Sequence, residues 1–242
     1  MKTLLICISY HCAEGRYIYL NEVLDNIEKY KCSYDIIIDT NVGGEAHEGN
    51  VKVVEHPNII HPFHLTQMHK KHFAENADNY ENFLYIEGDM LIPYEAYLNY
   101  LENFKLLYPK YAPMFVRIEK KDNIEYLSDI IEQHKITETD IINIGSKQFF
   151  EIKFPQNHNG CWLMPAKELS ESIKPNFCDV SDNRELNSNY ISWGLQKKSL
   201  VEIVEKEGKY FIAENCYIYH LPNNYIESSL PNGKIEPKNV FI

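Results

Sequence analysis

Two carboxylates separated by a single glycine, Glu87-Gly88-Asp89, directly follow the apolar run Phe83-Leu84-Tyr85-Ile86. If that run is a buried strand, the tripeptide sits at its carboxyl end, the edge where open α/β sheets bind ligands. Hard divalent cations such as Mg2+ and Mn2+ take oxygen ligands and are commonly held by one or two carboxylates plus substrate phosphates. Gly88 removes a side chain where a phosphate or ribose must approach the backbone. A cation bridging a diphosphate stabilises that group as it leaves. Acidic residues and glycine are also ordinary turn formers, so the tripeptide alone fits a solvated turn as well. Its place after a four-residue apolar run tips the reading towards chemistry.

A second group of candidates is the histidine-rich stretch His56, His61, His64, His69 and His72. Zinc would need three or four of these to converge, and no cysteine lies nearby to complete a set. The reading preferred for the stretch has His69, Lys70 or Lys71 facing a diphosphate from a helix, with the other histidines at the surface. The six cysteines, Cys7, Cys12, Cys32, Cys161, Cys178 and Cys216, form no C-x-x-C pair. Their scatter fits a reducing compartment.

The elements that position these residues follow from hydrophobic spacing. Leu4–Ile8, Asp35–Asp39, Val51–Val54, Phe83–Ile86 and Met114–Ile118 are expected strands. Leu20, Val23, Leu24 and Ile27 recur at helical spacing, as do residues from Leu65 to Phe73 behind His61-Pro62, and Tyr97 to Tyr108 behind Pro93. Strands alternating with helices over the first 120 residues predict crossover units and a mainly parallel sheet. Val42 to Asn50 is expected to be a loop, and Glu119 to Ser146 a charged insertion. Further on, Phe149–Phe154, Gly160–Met164 and Tyr217–Tyr219 are expected strands and Asn189–Lys198 a helix.

The chain has 242 residues, 44% hydrophobic and 24% charged, which fits one α/β domain with a sizeable core. Its 18 tyrosines offer flat apolar faces with one hydroxyl each, suited to sugars or bases and equally to half-buried packing. A net charge of −11 without a long basic run argues against a nucleic-acid partner. An acidic chain still binds a diphosphate when a cation supplies the positive charge. The apolar run Leu4–Ile8 is too short for a secretory signal core or a membrane span, so a cytoplasmic protein without a transmembrane segment is expected.

The order strand, polar loop, helix, strand ending in Asp39, strand, helix, strand ending in Glu87-Gly88-Asp89 resembles the GT-A fold of nucleotide-sugar glycosyltransferases. Ile8-Ser9-Tyr10-His11, followed by Arg16-Tyr17-Ile18 and the Leu20-x-x-Val23-Leu24 helix, is similar to that family's opening segment. Tyr85-Ile86-Glu87-Gly88-Asp89 resembles its DxD motif, with Glu in place of the first Asp. The resemblance implies a single domain over 1–242 built on a Rossmann-like, mainly parallel central sheet flanked by helices. Residues 1–118 would bind the nucleotide-sugar, and a less regular half, 119–242, the acceptor.

What the resemblance implies for individual residues follows position by position. Asp89 ligates Mn2+ (or Mg2+), and Glu87 contacts the ribose, a metal-bound water or the metal itself. His220, after Tyr217–Tyr219, is the late histidine that joins the metal; as an imidazole it suits manganese better than magnesium. Asp39 contacts the nucleobase, and Ser9, Tyr10, Arg16 and Gly88 line the donor. Trp162 lies on the strand that lines the donor sugar and acceptor, where an indole face suits a sugar ring, although tryptophan also serves as core. Asp182 and Glu185 are the candidate general base for the acceptor hydroxyl; Asp182 equally suits a helix cap, and Glu185 a pair with Arg184. The partners implied are a UDP- or GDP-sugar donor and a glycan or small-molecule acceptor.

Two other functions share these features. A sugar nucleotidyltransferase would need a glycine-rich phosphate loop after the first strand, and Ser9 to Arg16 contains only Gly15. A non-catalytic carbohydrate-binding protein of the same fold would tolerate the altered acidic motif, since fold does not establish function.

Overall fold

The computed structural model describes residues 1–12, 17–43, 46–59, 64–128, 140–152, 160–173, 177–178, 209–224 and 226. It is a mixed α/β structure with sheets flanked by helices, and the described residues fall into two compact units. The first takes Met1–Leu20, Lys31–Gly88 and Gly160–Ile203; the second takes Asn21–Tyr30, Asp89–Asn159 and Val204–Ile242.

The first unit is built on β1 (Lys2–Tyr10), β2 (Tyr34–Thr40), β3 (Ala46–Glu48), β4 (Val51–Glu55), β5 (Tyr80–Glu87) and β11 (Cys161–Pro165). Their order in the sheet is β11-β5-β1-β2-β4-β3, parallel from β5 to β4 and antiparallel at both edges. The sequence explains the parallel centre: Leu4 to Ile8 and Phe83 to Ile86 are unbroken apolar runs, as strands covered on both faces require. Each of these residues is at most 1% exposed. Helices α2 (Leu65–Glu75) and α4 (Ala166–Ser172) contribute Phe73 and Leu169 to one core with Leu5, Cys7, Ile37, Phe83, Tyr85, Trp162 and Met164.

In the second unit β7 (Tyr111–Lys121), β8 (Ile124–Leu127), β9 (Ile141–Ile144), β10 (Lys147–Ile152) and β12 (Lys209–His220) form a sheet of order β8-β7-β12-β10-β9. β6 (Met90–Leu91) adds to β12, and β7 and β12 run parallel. Helix α3 (Tyr94–Leu107) starts behind Pro93, whose fixed φ suits a helix start. It stacks Tyr100 on Phe115 of β7 with ring centroids 4.4 Å apart. The last part of α1 (Tyr17–Ile27) is tied to the second unit where Asn26 Nδ2 and Tyr30 Oη each donate to the carbonyl of Ile92 across 2.7 Å.

Two regions expected to be irregular contain strands. β3 pairs with β4 inside the expected loop Val42–Asn50. The charged segment after Glu119 begins by continuing β7 and then returns as β8 through a two-residue turn. Asp122 and Asn123 hold that turn with φ of 51° and 64°, the left-handed pair that matches the twist of a hairpin. The helix expected over Asn189–Lys198 lies outside the described residues, as do Arg16, Asp182 and Glu185.

Candidate functional site

In the first unit the parallel register aligns three of the expected residues in one row: Asp39 opposite Ser9, and Ser9 opposite Glu87. All three sit at the carboxyl ends of their strands, the ligand-binding edge of such a sheet. Gly88 follows, donating its N–H to the carbonyl of Ser9 across 2.9 Å. A Cβ at position 88 would lie 3.1 Å from Cδ2 of Tyr10 and 3.5 Å from the Ser9 carbonyl oxygen. The space beside Gly88 is thus bounded by the Tyr10 ring and the Ser9 carbonyl. Ser9 is itself buried, with Oγ 2.9 Å from Tyr85 Oη.

Asp39 is 1% exposed, and His56 and His72 both direct Nε2 at its Oδ1, across 2.8 and 2.9 Å. Burial pushes the carboxyl upward, but the two imidazole hydrogen bonds and their charge more than offset it and hold Asp39 below its usual range. His56 follows β4 and His72 lies on α2, so the crossover topology brings both to one oxygen. The sequence shows the histidines without showing that Asp39 is their common partner.

His69 and Trp162 are core residues, 0% and 5% exposed. The indole N–H of Trp162 donates to His69 Nε2, and the His69 ring stacks on Tyr85 with centroids 4.1 Å apart. Phe73 meets the Trp162 ring edge-on at 5.1 Å. The indole thus packs against aromatic partners rather than presenting a face to a sugar, and His69 packs inside rather than facing a diphosphate. Residues four apart share a helix face, and on α2 that face is the one turned to the sheet.

In the second unit β6 pairs with the end of β12, His220 opposite Met90, and Leu221 donates its N–H to the Asp89 carbonyl across 3.0 Å. This brings Asp89 and His220 together, with His220 Nε2 4.0 Å from Asp89 Oδ2. The other ring nitrogen, Nδ1, lies 2.6 Å from Oε1 of Glu119. Glu119 is 0% exposed, and its Oε2 accepts the backbone N–H of Ile226 across 2.9 Å. This short contact holds the imidazole ring of His220 against Glu119.

The chemistry of this donor set fits a divalent cation. A separation of 4.0 Å is too long for a hydrogen bond. Two ligands of one ion, each about 2.1 Å from it, lie at most roughly 4.2 Å apart. A carboxylate oxygen beside an imidazole nitrogen favours manganese over magnesium. Among the described residues no group of three or more His, Cys, Asp or Glu side chains encloses a metal position. A cation here would draw its remaining ligands from substrate and water. Among the described residues, too, no helix is long and apolar enough to cross a membrane.

No family model matches the chain, and no curated protein matches it. Among solved structures it is similar to S. aureus TarS 1-349, with a TM-score of 0.43 and 10% identity over 90% of this chain and 60% of that one. A second structure, S. aureus TarS, gives a TM-score of 0.45 and 12% identity over 90% of this chain and 36% of that one. The chain thus spans less than two thirds of either protein.

Proposed function

We propose that this chain is a metal-dependent glycosyltransferase that moves a sugar from a UDP- or GDP-sugar to a glycan or small-molecule acceptor. The observation that carries the reading is Asp89, two residues past the carboxyl end of β5, with Nε2 of His220 4.0 Å from its carboxylate. Asp89 and His220 hold the cation, and Glu87 supports it from two residues earlier in the chain. The cation, when bound, neutralises the diphosphate as it leaves.

Ser9, Tyr10 and Gly88 line the donor, a role favoured by their place at the carboxyl edge of a parallel sheet. Asp39 orients His56 and His72, and its part in base recognition is exerted together with these imidazoles. Arg16 is assigned to the donor, and Asp182 or Glu185 to deprotonation of the acceptor hydroxyl, on the family resemblance. A positioned base of that kind contributes on the order of 10² to 10⁴ in rate.

The test is release of free nucleoside diphosphate from a panel of UDP- and GDP-sugars, with Mn2+ and with chelator. Metal-dependent release from at least one donor is the expected result. Binding of sugars without turnover of any donor would instead favour a carbohydrate-binding protein.

A further inference from the structure

The family resemblance gives base contact to Asp39, but this carboxylate has almost no surface to offer, being 1% exposed. Its Oδ1 is taken by two imidazoles at once, Nε2 of His56 at 2.8 Å and Nε2 of His72 at 2.9 Å. The His56 side chain is 24% exposed and that of His72 12%, so solvent reaches His56 most. The backbone fixes where His56 stands. Its N–H donates to the Thr40 carbonyl across 2.7 Å, carrying the β2–β4 pairing one residue beyond Thr40 opposite Glu55. His56 therefore lies at the carboxyl edge of the parallel sheet, where ligands bind. The neighbouring backbone at that edge is tied down as well. The Cys12 N–H donates to Asn41 Oδ1 across 2.7 Å, and Thr40 Oγ1 donates to the Val42 carbonyl across 3.2 Å.

We propose that His56, not Asp39, is the residue that contacts the nucleobase of the donor, and that Asp39 and His72 position its ring. This rests on the glycosyltransferase reading above and deepens it, moving base recognition to a residue that the resemblance does not assign. An imidazole held at one nitrogen still has a second nitrogen and a flat face with which to meet a planar heterocycle. Holding the ring against a carboxylate sets its orientation before the ligand arrives, which lowers the ordering cost of binding. His72 engages the same oxygen from α2 and keeps the carboxylate turned inward. Asp39 sits behind the His56 ring and touches no part of the donor.

Calorimetry on the full chain with Mn2+, using UDP, GDP and inorganic pyrophosphate, reads the base separately from the phosphates. The nucleotide that binds wild type more tightly is expected to lose about 3- to 10-fold in affinity in His56→Ala, the worth of one hydrogen bond, with pyrophosphate binding unchanged. Asp39→Asn is expected to weaken that nucleotide in the wild-type background and to change it no further in the His56→Ala background, because it acts through the ring. Denaturant unfolding checks each variant, and His56→Gln, a smaller change of volume, replaces His56→Ala if the latter does not fold. Unchanged nucleotide affinity in a folded His56 variant overturns the proposal. So does a further loss of nucleotide from Asp39→Asn on top of His56→Ala, which would return base contact to Asp39. Equal losses of nucleotide and pyrophosphate would assign His56 to the phosphates and overturn it too. If neither UDP nor GDP binds wild type, the glycosyltransferase reading falls and the proposal with it; if one binds and the His56 variants match wild type, the proposal alone falls.

Discussion

The indole N–H of Trp162 donates to Nε2 of His69 across 3.2 Å, inside the core between α2 and the sheet. An indole only donates, so His69 Nε2 is the acceptor and the neutral ring carries its proton on Nδ1. Burial pushes the His69 pKa well below its usual 6.5, and the nearby Lys70 charge acts in the same direction.

That depression has a sign. The unfolded chain takes up a proton on His69 near pH 6.5 and the folded chain resists it until lower pH. The stability contribution is therefore complete above about 6.5 and lost as pH falls towards the depressed folded value. Denaturant unfolding of wild type and His69→Gln between pH 8 and 5 should show a steeper decline for the wild type. Trp162→Phe should cost about 1–3 kcal/mol at neutral pH, since it strips a buried acceptor of its donor.

Asp39 acts in a lower window. Its carboxyl is held below 3.8 by His56 and His72 against the opposing effect of burial. The stability it contributes is present above about 3.8 and lost as pH falls through the folded value. Asp39→Asn should lower stability at pH 7 by about 1.5–3 kcal/mol, the worth of hydrogen bonds to a charged group. The gap between mutant and wild type should close as pH drops through the acid range. A constant gap would show that Asp39 is not ionised in the folded protein.

The thiols should divide sharply in native-state alkylation. Cys12 and Cys178 are exposed, whereas Cys7, Cys161 and Cys216 are buried. Burial pushes the Cys216 thiol up to about 12, and burial together with the Asp39 charge raises Cys7 well above its usual value. Thiolates are the reactive form, so iodoacetamide followed by peptide mass spectrometry should label Cys12 and Cys178 first and spare Cys7, Cys161 and Cys216 until denaturant is added, with half-exposed Cys32 between them.

Gly88 offers a steric test of the donor edge. An alanine there places Cβ 3.1 Å from the Tyr10 ring, so the ring must move by a few tenths of an ångström. Gly88→Val, which adds two methyl groups, should raise the donor KM more than it lowers kcat if Tyr10 lines the donor. Equal donor KM in Gly88→Val and wild type would remove Tyr10 and Gly88 from the donor site.

Much of the fold was legible because the central strands are covered on both faces and so appear as unbroken apolar runs. β1, β2 and β5 emerge a few residues longer than those runs, since Lys2, Tyr34 and Tyr80 extend the ladder without being apolar. β3 and β8 were hidden because edge strands carry polar residues, although Asp122-Asn123 is a usable hairpin signal. For the site, Glu87-Gly88-Asp89 stood out by local spacing. Glu119 did not, because its partner is supplied by parallel pairing with a strand about a hundred residues later, which no local pattern encodes. Asp39 was legible as a strand-ending carboxylate, and its two imidazole partners were not.

The most direct test of the central claim is calorimetry of UDP and GDP binding, with and without Mn2+, to wild type and Asp89→Ala. The account predicts that one nucleotide binds the wild type only when Mn2+ is present. It predicts at least a tenfold loss of that binding in Asp89→Ala, a differential of about 1.4 kcal/mol or more, with unfolding behaviour close to wild type. Binding of equal strength in the mutant, or binding indifferent to Mn2+, would contradict it.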